Sequence, residues 1–550
     1  MPKKLFFILF GVWAFVTHSS CSSGAAIVPA NKTRTFYVDA VKGSDNNEGS
    51  SPEKAFQTLA KINSISFLPA DKILFKSGQQ WQGQLHPNGS GMDGAPIVID
   101  KYGGEQKPII NGGGIHSTVR LQNQQYWEIN NLEITNYNPV EENGINLKEW
   151  EIKNTTDYFN AVLPPKAEKN NTPKLGISIE ANDIGAVKHI YLKNLLVHGV
   201  NGTIIPDGAD ENGDSKNNGG IGFDITGTNA PTWFENILVE NCVIRDVDRT
   251  GLFTKSSWNK RTLHKNENWT PSKNIVIRKN TFERSGANAL IVRVADAPLI
   301  EYNLFHQCAI KGSGNAAFNF NTDNAVWQYN ECRFTKANEG DNDAGGIDSD
   351  YRTKNTFIQY NWLHDNDFGM LVTGGGGQFN DGTVVRYNII ERDGKQEHRS
   401  DKKRFIFKVS GGATNTQIYN NTIYIDPTQQ NTFLVFHKKW SVWPTNTFYY
   451  NNIFLNEDDS AAVSLGESKG NIFENNIIRE HRLAELNNIK TGEIKPVAVN
   501  NGPQGYKLKK GSAALRAGKI IEHKGGKDYY GNVLQKDRLP NIGAYDGDGL

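Results

Sequence analysis

The chain has 550 residues, 37% of them apolar, so it is long enough to bury a large core. Its 60 basic and 59 acidic residues leave a net charge of +1, which excludes a bulk electrostatic attraction to nucleic acid as the basis of function. Length alone would allow several domains, but a repetitive all-β architecture extends one domain over a whole chain.

The first 21 residues have the composition of a secretory signal. Two lysines precede an apolar run over residues 5–16, which is too short to span a membrane stably. The triplet SSC that follows ends at Cys21 and resembles the lipobox of bacterial lipoproteins. We therefore expect residues 1–21 to direct the protein to the periplasm or outer membrane with Cys21 lipidated. Ordinary cleavage and secretion without a lipid is the alternative.

A linker, residues 22–34, precedes a segment that predicts a cap. Residues 35–63, TFYVDAVKGSDNNEGSSPEKAFQTLAKIN, begin with a strand and a turn and continue as a helix that starts near Ser51-Pro52. Serine suits the N-cap position of a helix, and proline suits its first turn. Because a stack of strands exposes an edge at each end, we expect residues 35–110 to hold this cap and the first coils.

The region from 111 to 500 repeats one short phrase, in which an asparagine opens an apolar pair. The phrase occurs at Asn131, Asn194, Asn241, Asn280, Asn303, Asn330, Asn361, Asn388, Asn421, Asn452 and Asn476. From Asn280 onward successive copies lie 23 to 33 residues apart. Each unit also contains a stretch such as AAFNFNT or GIDSDYR, whose alternation is typical of a strand with one buried face.

Short strands in units of this length, without helical crossovers, predict an all-β fold, a right-handed parallel β-helix. Stacked units bury one continuous core, so residues 111–500 form a single solenoid domain. Residues 501–550 contain GSAALRAG and PNIGAYDGDGL, and we expect them to close the C-terminal end as a cap. Cys242, Cys308 and Cys332 lack CxxC spacing, which favours small buried residues over a disulfide scaffold or a zinc site.

Several segments resemble known families. The opening segment, with ADKILFKSGQQW and PIVIDKYGGEQKPIINGGG, resembles secreted bacterial β-helix proteins of the pectate-lyase-like superfamily, and the ending resembles their Bacteroidetes members. The stretches DNAVWQYNE and GGIDSDYRTKNTFIQYNWLHDN resemble β-helix glycoside hydrolases related to family 141, which act on fucosides or xylans. This resemblance implies a β-helix that cleaves a polysaccharide or oligosaccharide without an organic cofactor.

One coil, within residues 345–367, differs from the others in its acidic content. If Ser349 and Tyr351 face inward, the alternation directs both Asp348 and Asp350 outward. Counted back from the repeated asparagines, the same two columns contain no acid in the preceding coils, where they hold Ala317 and Asn319, and then Leu290 and Val292.

Glycoside hydrolysis requires two carboxyl groups beside the scissile bond, one protonated and one ionised. Residues two apart on a strand lie about 6.6–7 Å apart, and a neighbouring carboxylate raises the pKa of the other, as a general acid requires. We therefore predict Asp348 and Asp350 as the catalytic pair, with Asp365 as an alternative second carboxylate. The competing interpretations are metal ligation and a structural role in which these aspartates satisfy turn amides.

Other polar residues are candidates for substrate contacts, although a charge-balanced surface is the alternative for each. They are Asp224, Arg293, Asp323, Arg352, His364, Lys408 and His437. The basic members would bind carboxylates of an acidic glycan if they share one groove. Tryptophans in loop-like insertions predict stacking on sugar rings, namely Trp258, Trp269, Trp440 and Trp443.

Calcium is a further candidate, because residues 339–350 are rich in carboxylate oxygens, from Glu339, Asp341, Asp343, Asp348 and Asp350. The leading hypothesis is a glycoside hydrolase, expected to be a monomer with an oligosaccharide or polysaccharide substrate and no nucleic-acid partner. The first alternative is a calcium-assisted polysaccharide lyase with Arg352 or Lys408 as the base. The second is a glycan-binding β-helix without catalysis, since a fold does not fix a function.

Overall fold

The computed structural model describes residues 33–137, 173–202, 214–337, 343–395, 404–457, 461–478, 489–490 and 492–550. The predicted lipidation site, Cys21, lies outside these ranges. Within them, no helix is both long enough and apolar enough to span a membrane.

The strands of the N-terminal third are β1 Thr35–Val38, β2 Ser66–Phe67, β3 Lys72–Lys76, β4 Gln80–Gln82, β5 Asn88–Gly89, β6 Ile97–Tyr102, β7 Ile109–Asn111, β8 Ser117–Gln122, β9 Trp127–Asn130, β10 Glu133–Asn136, β11 Leu175–Asn182, β12 Ala186–Lys193 and β13 Leu196–Val200. The middle strands are β14 Gly219–Thr226, β15 Trp233–Glu240, β16 Val243–Val247, β17 Thr250–Ser256, β18 Asn259–Arg261, β19 Asn266–Trp269, β20 Ser272–Arg278, β21 Thr281–Ser285, β22 Leu290–Asp296, β23 Leu299–Glu301, β24 Leu304–His306, β25 Ala317–Asp323, β26 Val326–Gln328, β27 Glu331–Arg333, β28 Ile347–Ser349, β29 Thr353–Lys354, β30 Phe357–Gln359 and β31 Trp362–His364. The remaining strands are β32 Met370–Thr373, β33 Asn380–Asp381, β34 Val384–Arg386, β35 Ile389–Glu391, β36 Phe405–Ser410, β37 Ala413–Thr414, β38 Gln417–Tyr419, β39 Thr422–Ile425, β40 Phe433–Lys438, β41 Phe448–Tyr450, β42 Ile453–Asn456, β43 Ala462–Ser464, β44 Ile472–Glu474, β45 Asn476–Ile478 and β46 Ile489–Lys490. The helical elements are the α-helix α1 Leu59–Asn63 and the 3₁₀ turns Pro52–Lys54, Asp214–Asn217 and Pro503–Tyr506.

These strands form the predicted right-handed parallel β-helix, with a sheet of 28 strands and a sheet of 14 strands. The larger sheet contains two long stacks and one short stack, which is formed by β29, β33 and β37. Face A runs from β1 through β3, β6 and β9 to β44, and face B runs from β8 through β11, β14 and β17 to β43. Face C is the smaller sheet, from β4 to β46. Each coil contributes strands to the three faces, and their inward side chains form one continuous core, as alternation predicts.

A ladder of asparagines connects the later coils. In this ladder the side-chain amide of one asparagine donates to the side-chain Oδ1 of the next at 2.9–3.0 Å, from Asn280 through Asn303, Asn330, Asn361, Asn388, Asn421 and Asn452 to Asn476. The predicted start of the ladder is wrong. Asn131, Asn194 and Asn241 have φ of 55–57°, a left-handed corner that asparagine tolerates, and the buried residues that follow them are Leu132, Leu195 and Cys242.

Both ends of the solenoid differ from expectation. The predicted helix at Ser51 is only a 3₁₀ turn, and the α-helix begins after Thr58, whose hydroxyl accepts a hydrogen bond from the Lys61 backbone N–H at 3.2 Å. The C-terminal segment does not only close the end but returns along the side of the stack. Its Lys527 carbonyl accepts a hydrogen bond from the Tyr360 hydroxyl at 3.0 Å, in the acidic coil. Cys242, Cys308 and Cys332 are buried and form no disulfide, as predicted.

Candidate active site

The acidic coil contains a bulge on face B. Strand β25 pairs with both β28 and β29, so that Asn319 lies opposite Ser349 and Asp323 lies opposite Lys354. The acidic coil therefore has one residue more than its neighbour between these two pairs. A bulge of this kind redirects side chains and is common beside active sites.

The bulge changes two sequence-based predictions. Asp348 lies opposite Phe318, so the columns counted from the asparagines were wrong by one residue. Asp350 lies beyond the end of β28, and Tyr351 lines a cleft instead of facing the core. The ring of Tyr351 is held edge-on by Phe320, with ring centroids 4.8 Å apart.

The cleft on face B has a volume of about 430 Å³. Its lining residues are Lys216, Asp343, Asp348, Asp350, Tyr351, Leu371, Thr373, Lys408, Ser410, Lys438, Lys439 and Trp440. Because successive coils contribute to it, residues far apart in sequence meet here. The cleft combines carboxyl groups, ammonium groups and aromatic rings, which is a suitable lining for a polar ligand with ring faces.

Asp348 is the most buried acid of the cleft, with 5% of its surface exposed. Its Oδ2 accepts a hydrogen bond from the Asn315 amide at 3.1 Å, and its Oδ1 is buried without a hydrogen-bond partner among the described residues. Burial raises its pKa well above the usual value, and the nearby Asp350 and Asp343 raise it further. The protonated form of Asp348 is therefore favoured.

Two glycines allow the chain to pass close to its neighbours just before these acids. A Cβ on Gly345 would lie 2.3 Å from the Gly369 carbonyl oxygen of the next coil, and one on Gly346 would lie 2.6 Å from the Leu363 side chain. The Gly345 N–H also donates to Asn315 Oδ1 at 2.8 Å. Asn315 thus fixes the glycine segment and the Asp348 carboxyl group together.

Asp350 is only partly buried and lies at the mouth of the bulge. Its Oδ1 accepts a hydrogen bond from the Tyr351 N–H at 2.8 Å. Burial raises its pKa to about 7; the Tyr351 N–H and Lys216 oppose the rise, and Asp343 adds to it. The Asp350 carboxyl group therefore exchanges a proton near neutral pH, which suits a general acid or base.

Asp343 is a functional candidate that the sequence suggested only as a calcium ligand. It is partly buried and lines the same cleft. Two residues after it comes the Gly345-Gly346 turn that leads into β28. Its side chain acts electrostatically on both other aspartates, so the three carboxyl groups form one interacting cluster.

The structure does not bring Asp365 into the cleft. This residue follows β31 on face C, and its carboxylate accepts a hydrogen bond from His364 Nδ1 at 2.8 Å. Arg392 donates to it through Nε at 2.8 Å and Nη2 at 2.7 Å, and Lys395 lies 3.1 Å away. Although burial opposes ionisation, these partners lower its pKa far below the usual value. Asp365 is the acceptor of an ion-pair network on face C, so we do not include it in the candidate active site.

His364 belongs to the same network and does not line the cleft. Its ring stacks on Trp362, with centroids 3.9 Å apart, and its Nε2 lies 3.3 Å from Glu331 Oε1. Although burial opposes protonation, the hydrogen bonds to Asp365 and Glu331 raise its pKa. The polar column anticipated from the sequence explains this histidine, and its expected contact with substrate is wrong for this cleft.

Asp323 forms a structural ion pair and does not line the cleft. Its carboxylate lies 2.8 Å from Nη1 of Arg261, whose side chain is fully buried. Arg261 in turn lies 3.9 Å from the ring centroid of Trp269, in the β18–β19 hairpin. Asp323 and Arg261 therefore anchor this hairpin against the coil, which accounts for both Asp323 and Trp269 without a bound sugar.

Three further candidates lie on face B or its corners outside the cleft. Asp224 faces Lys255 on the next coil, with 3.8 Å between carboxylate and ammonium. Arg293 donates to Asn217 Oδ1 at 2.6 Å, and thereby holds the turn that carries Lys216. Arg352 adopts a left-handed corner with φ of 57°, and its Nε donates to Gln378 at 3.0 Å. Of the predicted contact residues, Lys408 alone lines the cleft.

His437 faces the core, contrary to prediction. It is 1% exposed, and its ring nitrogens are hydrogen bonded to Ser468 Oγ and the Tyr449 hydroxyl, each at 2.8 Å. Burial lowers its pKa to about 4. The following residues, Lys438 and Lys439, do line the cleft, so the expected basic segment reaches the site through its lysines.

Of the four tryptophans considered, Trp440 lies at the cleft. It is 49% exposed, and its ring meets Tyr351 edge-on with centroids 6.0 Å apart. Trp258 is buried, and Trp443 donates to Glu467 at 3.0 Å. An exposed ring beside a polar cleft is a suitable platform for a sugar face.

The described residues contain no group of three or more His, Cys, Asp or Glu side chains arranged to hold a metal ion. The segment proposed for calcium is only partly described, because Glu339 and Asp341 lie outside the described ranges. Calcium accordingly stays a prediction.

The chain is similar to a lacto-N-biosidase of Bifidobacterium longum subsp. longum, with 25% identity over 94% of this chain and 36% of that protein. It thus spans about a third of that relative's length. No family model matches the sequence.

Two solved structures are similar in fold. The GH136 lacto-N-biosidase from Eubacterium ramulus matches with a TM-score of 0.57 and 21% identity, over 81% of this chain and 67% of that one. XylC, in a complex with xylose, matches with a TM-score of 0.50 and 12% identity, over 93% of this chain and 98% of that one. The similarity places the chain among parallel β-helix proteins related to these folds, and the resemblance to family 141 stays a prediction.

Proposed function

We propose that this protein is a glycoside hydrolase that cleaves an oligosaccharide or polysaccharide in the face B cleft. The observation that carries the proposal is the convergence of Asp343, Asp348 and Asp350 in one cleft, with the pKa of Asp350 raised to about 7. Glycosidases require a carboxyl group that is still protonated near neutral pH beside one that is ionised. The exposed ring of Trp440 supports a sugar ligand.

Each aspartate has a distinct role in this mechanism. Asp350 is the general acid, because it is partly exposed and holds its proton near neutral pH. Asp343 is the carboxylate that acts as nucleophile or base, since it lines the cleft and the other two acids tend to stay protonated beside it. Asp348, held by Asn315, is a positioning residue whose burial favours the protonated form and limits its contact with substrate.

This assignment modifies the predicted pair. Asp350 keeps its predicted role, whereas Asp343 takes the place of Asp348 because only 5% of Asp348 is exposed. The 25% identity to a lacto-N-biosidase supports the hydrolase function and suggests a substrate. We therefore propose an oligosaccharide that contains lacto-N-biose as the first substrate to test.

The test is incubation of the purified protein with lacto-N-biose-containing oligosaccharides and with a panel of plant and host polysaccharides, followed by product analysis. Release of new reducing ends, with loss of activity in D343N and D350N and near-normal folding of both, is the expected result. Full activity in both variants would remove the catalytic assignment.

A polysaccharide lyase is the second candidate, because Lys408 lies in the same cleft as the aspartates and could act as a base. A lyase forms a product with a carbon–carbon double bond, which absorbs ultraviolet light, whereas a hydrolase does not. Measurement of that absorbance during cleavage decides between the two. Addition of a chelator in the same assay tests whether calcium takes part.

A further inference from the structure

The cleft has an acidic end and a basic end along the solenoid axis. The column that holds Asp348 on β28 continues through Leu371 on β32 to Lys408 on β36. The column through Thr373 and Ser410 ends at Lys438 on β40. Because parallel strands are about 4.8 Å apart, the backbone of Lys408 lies about 10 Å and that of Lys438 about 14 Å from the acidic coil. The Lys408 ammonium group acts electrostatically on Asp348, whereas Lys438 is one strand farther away. This separation leaves room for sugar between the two ends.

Three of the four lysines that line the cleft form no ion pair in the described part of the chain. Among the described residues, Lys216, Lys438 and Lys439 form no ion pair with an aspartate or glutamate within 4.0 Å. Some lysines elsewhere in the solenoid are paired, as Lys193 is with Glu128 at 2.7 Å and Lys395 with Asp365 at 3.1 Å. Because Lys438 and Lys439 have no such partner among the described residues, their charge is left for a ligand to neutralise.

The charges of the cleft do not cancel. Four ammonium groups, of Lys216, Lys408, Lys438 and Lys439, face three carboxyl groups. Burial favours the protonated form of Asp348, and Asp350, with its pKa raised to about 7, is only partly ionised near neutral pH. The described lining of the cleft therefore carries more positive than negative charge, which a neutral oligosaccharide would not require.

We propose that the substrate glycan carries an anionic group, a carboxylate or a sulfate, which Lys438 and Lys439 bind at the end of the cleft away from the aspartates. The inference rests on the proposed glycosidase function of the same cleft and names its substrate class. Trp440 follows this pair of lysines directly and stacks on the sugar that carries the anion. Lysine suits this role because its ammonium is a compact charge that does not demand the planar geometry of arginine pairs.

The experiment uses the full chain and three matched oligosaccharides that differ in one substituent: neutral, carboxylate-bearing and sulfate-bearing. Binding is measured by calorimetry with the D350N variant, and cleavage is measured with the parent protein. We expect the anionic ligands to bind more tightly than the neutral one, and the difference to shrink as salt concentration rises. The ratio between the carboxylate and sulfate arms identifies which group is recognised.

The lysine contribution is tested with K438Q/K439Q, which removes both charges with little change in length. We expect affinity for the preferred anionic ligand to fall about 10- to 100-fold, the size of losing charge-assisted contacts, and affinity for the neutral ligand to stay unchanged. The charge-conserving K438R/K439R should retain most of the affinity. The matched control is K509Q/K510Q, an exposed lysine pair outside the cleft, which should change nothing.

Equal binding of neutral and anionic ligands, or an equal loss for both in K438Q/K439Q, would overturn the inference. Failure of the proposed function is distinguishable, because calorimetry does not depend on cleavage. If no oligosaccharide is cleaved but the anionic ones bind through the lysines, the cleft is an anionic glycan site without hydrolysis.

Discussion

One turn of the solenoid carries two acidic sites on different faces, and their environments are opposite. On face B, Asp350 is partly buried beside other aspartates, which together with burial raises its pKa to about 7. On face C, Asp365 is surrounded by Arg392, Lys395 and His364, and its pKa is far below the usual value. The two residues are 15 positions apart in sequence and serve different purposes.

The contrast indicates which acids are functional, namely those whose carboxyl groups the protein does not supply with cations and hydrogen-bond donors. An acid kept for structure is supplied with cations and hydrogen-bond donors, as Asp365 is. The acids of the cleft repel one another, and Asp348 Oδ1 is buried with no hydrogen-bond partner among the described residues. Such an arrangement costs stability, and proteins retain it where chemistry requires it.

The largest expected effect is the loss of activity in D350N. Removal of a general acid lowers kcat/KM about 10²- to 10⁴-fold, because the leaving oxygen must depart without a proton. The measurement is cleavage of the best substrate from the panel, with circular dichroism to check the fold. The matched control is D365N, assayed per folded molecule, which should keep near-normal activity. If D365N loses activity as fully as D350N does, the two sites are not functionally distinct.

The next largest effect is on stability, and here we expect the substitution on face C to have the larger effect and the substitution on face B the smaller one. D365N leaves Arg392, Lys395 and His364 without their shared acceptor, and we expect a loss of about 3 kcal/mol in the free energy of unfolding. D348N replaces a carboxyl group whose burial favours the protonated form by a neutral amide of nearly the same shape, and should change stability little. Urea unfolding of both variants measures the difference. A D348N protein that is the less stable of the two would contradict this interpretation of face B.

The pH dependence of stability should have opposite signs at the two sites. The folded-state pKa of Asp350 lies above its ordinary value of 3.8, so its contribution to stability is present at low pH and is lost as pH rises from about 4 to about 7. The folded-state pKa of Asp365 is lowered, so its contribution is present above about pH 4 and is lost as pH falls below that value.

Thermal melts from pH 3 to pH 8 separate these contributions. D350N should flatten the decline of the wild-type curve between about pH 4 and pH 7, and D365N should flatten its acid side. Asp393, buried with its pKa raised to about 8, adds to the alkaline decline and is present in both variants, so the difference between them isolates the two sites. Parallel melting curves for the two variants would show that the assigned environments are wrong.

Much of the fold could be predicted, because repetition itself carries the information. Alternating stretches and left-handed corners recur along the solenoid, ladder asparagines recur from Asn280 onward, and each copy strengthens the same interpretation. The start of the ladder was misplaced since asparagine suits both the inner ladder and the left-handed corner. In the first coils it occupies the corner, and Leu132 or Cys242 takes the inner position.

The candidate site was predicted only in part, for reasons of register and distance along the chain. The acidic strand itself was recognised from its composition, but a one-residue bulge turned Tyr351 into the cleft and shifted the columns. Arg392 and Lys395, which neutralise Asp365, come from the next coil, 27 and 30 residues later. Their spacing along the sequence does not indicate that they pair with Asp365. Whether His437 faces inward or outward depends on which alternate residues of strand β40 face the core. The sequence around it does not determine this alternation.

The smallest expected effect concerns Trp440, and it extends the same contrast to aromatic residues. Trp440 is 49% exposed at the cleft, whereas Trp269 lies under the buried guanidinium of Arg261 at 3.9 Å. W440A should raise KM about 5- to 10-fold, the size of about 1 kcal/mol of lost stacking, with little change in kcat or melting temperature. W269A should lower the melting temperature and leave KM unchanged. Both rings come from loop-like insertions. If W269A instead raised KM and W440A lowered only the melting temperature, the sugar would lie along the β18–β19 hairpin and not across Trp440.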